Sequence, residues 1–185
     1  MPTIANVSVG KPKVAGAVFR APKGTTLPTD ASTALSDAFK DMGYVSEDGV
    51  TNANEADSEE IKAWGGKTVL VVNTDSSDKF SLTLIESTNV NVLQSIFGSS
   101  NVTEDSNTHA ITINVSGLCD EEAVWVIDVQ MNANWMKRIV IPCGMLSELG
   151  DVTYKDDEAI AYEITINALP DSNGNTHYEH MAKAS

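Results

Sequence analysis

The chain is poor in cysteine, histidine, aromatic side chains and long apolar runs, and each shortage excludes a class of function. Its two cysteines, Cys119 and Cys143, lie far apart and make no C-x-x-C pair. No apolar signal core follows Met1-Pro2-Thr3, so the expectation is synthesis in the cytoplasm with both thiols reduced. No stretch approaches the roughly 18 apolar residues of a membrane helix. There are three histidines, His109, His177 and His180. His177 and His180 are spaced H-x-x-H in a polar tail, without the glutamate of a zinc-protease helix. His109 opens an alternating stretch and reads as a turn residue. The chain has no G-x-S-x-G, no P-loop and no G-x-G-x-x-G.

The acids offer little more chemistry. Asp156-Asp157-Glu158 and Asp120-Glu121-Glu122 lack EF-hand spacing and read as solvated turns. Asp128 and Glu163 fall on polar strand faces and could pair as acid and base, but nothing in the sequence brings them together. Asn6, Asn101 and Asn114 open glycosylation patterns that a cytoplasmic chain would not use. The expectation is a protein that is not an enzyme and that needs no cofactor or metal.

What the chain does have is a divided charge. Residues 1–29 hold Lys11, Lys13, Arg20 and Lys23 and no acid, while the net charge of the whole is −14. The sequence pI of about 4.4 argues against binding a phosphate backbone. A basic arm on an acidic body suits head-to-tail contact between copies, which closes into rings or runs on as filaments. The plain alternative is a solvated N-terminus beside an ordinary acidic surface. Four of the six prolines lie in this arm, which favours extended backbone with one short strand over 14–19.

Beyond the arm, Leu35, Ala38, Phe39 and Met42 share helical spacing, with Asp30 at the N-cap and Gly43 after the end, and predict a helix over 30–42. Residues 44–66 carry acids and no base up to Glu60, and predict a long acidic loop or protruding hairpin. The rest reads as strands: 67–73, 80–85, 109–115, 123–131, 135–141 with Pro142 as a stop, and 160–168. A short helix over 91–97 sits among them, with Asn89 or Asn91 as cap. Trp125, Ile127, Tyr162 and Ile164 should be core against that helix. The fold class is mainly β, an antiparallel β-sandwich or barrel with one or two short α-helices, in one domain over 1–185 with a C-terminal arm over 169–185.

Two stretches resemble a known family. Ile141-Pro142-Cys143-Gly144 followed by Gly150 to Asp171 is similar to the C-terminal strand region of major tail tube proteins of long, non-contractile-tailed phages. Leu27 to Tyr44, continuing through Ser46-Glu47-Asp48-Gly49-Val50 to Lys62-Ala63-Trp64-Gly65-Gly66, is similar to the same family. Together they cover about half the chain. The resemblance implies hexameric rings stacked into a hollow tail tube, with an inner wall that is a continuous β-barrel. It implies terminal arms and a long loop bridging successive rings, and an acidic lumen through which DNA passes without specific binding. The implied partners are further copies of the chain and the tape measure, tail tip and tail terminator proteins, with no membrane insertion. The implied location is the virion tail, assembled in the host cytoplasm.

On this reading the lumen-facing candidates are Thr112, Asn114, Asp128, Gln130, Glu163, Thr165 and Asn167. The inter-subunit candidates are Lys11, Lys13, Arg20 and Lys23 set against Glu47, Asp48, Glu55, Asp57, Glu59 and Glu60, with Trp64. A one-residue register slip would invert the lumen set. Two other readings stay open. One is a type VI secretion-like tube protein. The other is a monomeric carbohydrate-binding β-sandwich with Trp64 or Trp135 as its platform.

Overall fold

A computed structural model describes residues 7–13 and 17–183, leaving out the side chains at 57, 73–75 and 133. Eleven strands and one α-helix are found among the described residues. They are β1 (Lys11–Pro12), β2 (Val18–Pro22), β3 (Lys40–Asp41), β4 (Val45–Lys62), β5 (Thr68–Leu84), α1 (Val90–Phe97), β6 (Val102–Glu104), β7 (Ile111–Ile113), β8 (Ala123–Gln130), β9 (Trp135–Leu149), β10 (Tyr162–Ala168) and β11 (Tyr178–Lys183). Nine of the strands form one antiparallel sheet in the order β3-β2-β8-β9-β10-β5-β4, with β1 added beside β8 and β11 beside β9. β6 and β7 pair separately. The fold is mainly β, and among the described residues the sheet does not close into a barrel.

Alternation builds the main core. Phe80, Leu82 and Leu84 of β5, Tyr162, Ile164 and Ile166 of β10, and Trp125 and Ile127 of β8 turn one face to Val92, Leu93 and Ile96 of α1. The helix starts where Asn89 accepts from the Asn91 N–H at 3.0 Å and stops at Gly98, whose φ is +92°. At Gly144, between β8 and β10, an added Cβ would lie 2.6 Å from Trp125 Cδ1, so no larger residue fits there without displacing the indole.

β8 is buried on both faces, from Ala123 to Asp128. Its second face, Val124 and Val126 with Ala21, Phe39 and Val140, is roofed by Leu27 and Leu35. The roof is irregular, and the expected helix over 30–42 does not form. Asp30 does act as a cap, accepting from the Ser32 and Thr33 N–H groups, each at 2.6 Å. The turn then fails to propagate because Arg138 Nη1 donates to the carbonyls of Asp30 (3.1 Å) and Thr33 (2.8 Å), which a continuing helix would use. The Ser and Thr side chains favour such local turns over helix.

Pro142 does not stop a strand, because β9 runs from Trp135 to Leu149. On one edge β8 has a register shift between Ala123 and Trp125, opposite Gly144 and Ile141. On the other edge β11 pairs only as far as Val140 and β10 begins at Gly144. Pro142 therefore stands where no ladder bond requires its missing N–H.

The segments 67–73 and 80–85, read as separate strands, are one strand, β5. With β4 it makes a hairpin paired from Val45↔Leu84 to Lys62↔Thr68. Its turn rests on Gly65 and Gly66, with φ of +105° and +87°. Of the loop and the protruding hairpin expected over 44–66, the structure has the hairpin, with these residues as its first strand and turn. β7 is shorter than the expected 109–115. Residues 14–16 of the expected arm strand lie outside the described residues; of the remainder β2 takes in Val18 and Phe19 and runs on to Pro22.

Candidate assembly surfaces

No cluster of three or more His, Cys, Asp or Glu side chains placed to hold a metal ion occurs among the described residues. His177 and His180 are not brought together. His177 Nδ1 meets Asp78 Oδ2 at 2.5 Å, whereas His180 stacks beside Tyr178 at 6.5 Å. His109 sits at a turn with φ of +54° and meets Glu104 at 3.1 Å. Cys119 and Cys143 are both free, and burial pushes the Cys143 thiol up. Asp128 and Glu163 are not an acid–base pair. Asp128 is buried, while Glu163 is exposed two strands away.

Asp128 also departs from the expected lumen set. Its carboxylate accepts from Arg138 Nε at 2.6 Å and Nη2 at 2.8 Å, beneath the roof segment. Both residues are nearly inaccessible, at 4% and 1% exposure. Such a pair persists because each charge satisfies the other. Thr112 and Asn114 are exposed but belong to the β6–β7 flap, and Gln130 is exposed at the end of β8. The remaining three, Glu163, Thr165 and Asn167, do share a surface. They lie opposite Thr83, Ser81 and Lys79 of β5, and Glu148 of β9 pairs with Thr165. Ser81 Oγ and Thr165 Oγ1 are 3.1 Å apart. The result is a polar sheet face of hydroxyl, amide and carboxylate side chains with one lysine, Lys79, backed by the core that holds Phe80, Leu82, Ile164 and Ile166.

The basic arm finds acids in its own chain. Lys23 Nζ lies 2.5 Å from Glu122, Arg20 Nη2 lies 4.0 Å from Glu121, and Lys13 Nζ lies 3.5 Å from Asp128. The hydrogen bond to Glu122, then its charge, raises the Lys23 ammonium above its ordinary range. Lys11 is exposed in β1 beside Gln130. Within a protomer, three of the four cations meet acids of 120–128 rather than acids of 41–60. The extended-arm argument missed this because β1 and β2 both lie along β8, bringing the arm back to the acids that flank that strand.

The acids of 41–60 are elsewhere. β10 covers β5 only as far as Asn167↔Lys79. Beyond it, from Asn54↔Asp78 to Lys62↔Thr68, β4 and β5 pair with each other and, among the described residues, with no other strand, as a ribbon reaching about 30 Å at strand rise. Glu55, Glu59 and Glu60 are exposed along β4, and Glu47 and Asp48 are exposed near its start. The side chain of Asp57 lies outside what the structure describes. Trp64 stands fully exposed at the turn, at 107%. Across from the acids, Val69, Leu70, Val71 and Val72 of β5 are 59%, 54%, 55% and 39% exposed. The register sets Glu59 opposite Val72, Glu60 opposite Val71 and Ile61 opposite Leu70, so apolar groups appear on both faces. A lone two-stranded ribbon is marginal in water, and one with greasy faces needs something to cover it. The Val-rich run was visible in the sequence, but its exposure was not.

The sequence model of a family described as phage tail tube protein matches residues 12–185. The chain belongs to the phage tail tube protein family. It is accordingly a structural component of a phage tail that builds a tube. No curated protein matches the sequence. Among solved structures, the tail tube protein is similar to the tube-terminating cap of the anti-feeding prophage, with TM-score 0.44 and 9% identity over 98% of this chain and 100% of that one. It is also similar to a chain of the extended PVC sheath–tube complex, an extracellular contractile injection system. There the TM-score is 0.39 and the identity 9%, over 94% and 93% of the two chains. A third likeness is to a chain of the PVC sheath/tube terminator, with TM-score 0.36 and 10% identity over 92% and 97%.

Proposed function

We propose that this tail tube protein forms hexameric rings that stack into the hollow tube of a long, non-contractile tail and conduct DNA during infection. Each chain acts as one tail-tube domain. The observation that carries the stacking is the ribbon, an apolar and acidic two-stranded arm with which, among the described residues, no third strand pairs. Glu55, Glu59, Glu60 and Trp64 make the ring-to-ring contact, with Asp57 on the same strand. Glu47 and Asp48 lie closer to the body. Lys11, exposed in β1, is the arm's cation in that contact.

The polar face carrying Glu163, Thr165 and Asn167 is the reading's candidate for the lumen wall. On that face the carboxylates of Glu163 and Glu148 outnumber the single cation, Lys79, so its net charge repels a phosphate backbone and keeps it moving. Tape measure, tail tip and tail terminator proteins are the partners this role requires, and assembly takes place in the host cytoplasm.

Electron microscopy of the purified protein at high concentration tests the stacking. The expected result is hollow tubes or six-fold rings for the native chain. Replacing Glu55, Glu59 and Glu60 together by Lys should leave the protomer folded and block stacking. Normal tubes from that variant would remove the ribbon from the ring contact.

A further inference from the structure

Asp78 is the last inward-facing residue of β5 before the ribbon leaves the body. It lies just past the final β10 pair, Asn167↔Lys79, and is only 5% exposed. A carboxylate at the rim of an apolar core needs donors, and it finds them on two different segments. From β4, Asn52 Nδ2 donates to Oδ1 at 2.7 Å and also to the Lys79 carbonyl at 3.2 Å. From the C-terminal segment, Thr176 Oγ1 donates to Oδ2 at 2.6 Å, and His177 Nδ1 meets the same oxygen at 2.5 Å. The His177 ring also stands edge-on to Phe80, with centroids 5.2 Å apart and planes at 86°.

The C-terminal segment is itself held at both ends. Before Thr176, Asp171 organises a turn, accepting from Tyr178 Oη at 2.6 Å and from the Asn173 N–H at 2.8 Å. After His177, β11 pairs with β9 from Val140 to Trp135. The segment therefore links β9, through β11, to the ribbon's root. We propose that Thr176 and His177 form a latch which closes on Asp78 and fixes the ribbon relative to the body.

This goes beyond the stacking proposal and does not need it, because the latch works within one protomer. Its mechanism is local. With the latch closed, the root of the ribbon is tied through Asn52 and Asp78 to both flanking elements. With it open, Asp78 keeps only its β4 donor and turns to water, and the two-stranded ribbon is free to swing and fray.

Hydrogen–deuterium exchange of the full-length unassembled protein tests this. In Thr176→Val/His177→Ala, amides of residues 54–73 should exchange about tenfold faster, while those of 124–127 in β8 keep their protection. Thr176→Ser with His177 intact should restore native exchange. If the double variant does not fold, Thr176→Val alone serves, with a smaller rise confined to the same residues. Native ribbon exchange in a folded variant would overturn the latch. So would an equal rise across ribbon and core, because the cluster would then contribute only to global stability. Tube formation is not the readout, so failure here leaves the stacking proposal standing.

Discussion

Arg138 is the residue on which most of the roofed side of the sheet depends. It neutralises Asp128, and it donates to two carbonyls of the 25–39 segment at 3.1 and 2.8 Å. Replacing it with Met should destabilise the protomer by about 3–5 kcal/mol, since a buried carboxylate is left with only Lys13 nearby. Arg138→Met with Asp128→Leu should recover part of that loss. Recovery should stay incomplete, because the Asp30 and Thr33 carbonyls still lack a donor. Urea midpoints of the three proteins check this, and an unchanged single variant would refute it. The sequence showed Asp128 on the correct alternating face. What it could not show was that the face was covered, since the cover is a non-helical segment held by an arginine 108 positions away from Asp30.

At the scale of elements, strands were legible wherever one face was buried and the other wet. β10 has Tyr162, Ile164 and Ile166 inside and Glu163 outside, as its alternation requires. α1 was legible from its cap and its glycine stop. The ribbon was legible only in part. A run such as Val69–Val72 does not alternate, and the same letters describe a strand buried on both faces or one exposed on both. The distinction has a measurable consequence. Leu70→Thr/Val71→Thr should change the stability of the isolated protomer by no more than about 0.5 kcal/mol, because both sites are already largely wet. The same variant should abolish tube formation, read by sedimentation and microscopy. A large loss of protomer stability would show that the ribbon is covered within the chain.

For the whole molecule, pH acts mainly through carboxylates held low. Burial by itself pushes the Asp78 carboxyl up, but hydrogen bonds from Thr176, Asn52 and His177, with the imidazole's charge, outweigh it and bring it below the ordinary range. Asp171 is lowered first by Tyr178, then by the Asn175 and Asn173 N–H groups, and Asp105 by the Thr108 and Asn107 N–H groups. Asp30 is lowered by Thr33 and Ser32. A carboxylate with a depressed folded-state pKa adds stability above its unfolded pKa and loses it as pH falls through the folded value. Stability should therefore hold from neutral pH to about pH 5 and decline below about pH 4. Thermal melts across that range check the sign, and a rise in Tm on acidification would contradict it. Asp78→Asn should flatten the decline.

The ribbon's length makes its root a fulcrum. With an arm of about 30 Å, a rotation of about 10° at Asp78 carries Trp64 sideways by about 5 Å, more than a side-chain contact can absorb. Angular rigidity at one buried carboxylate thus becomes positional accuracy at a distant indole. In a stack of identical copies any error in that angle would be repeated at every layer, so the straightness of a long tube would be decided by how firmly a few hydrogen bonds hold at its base.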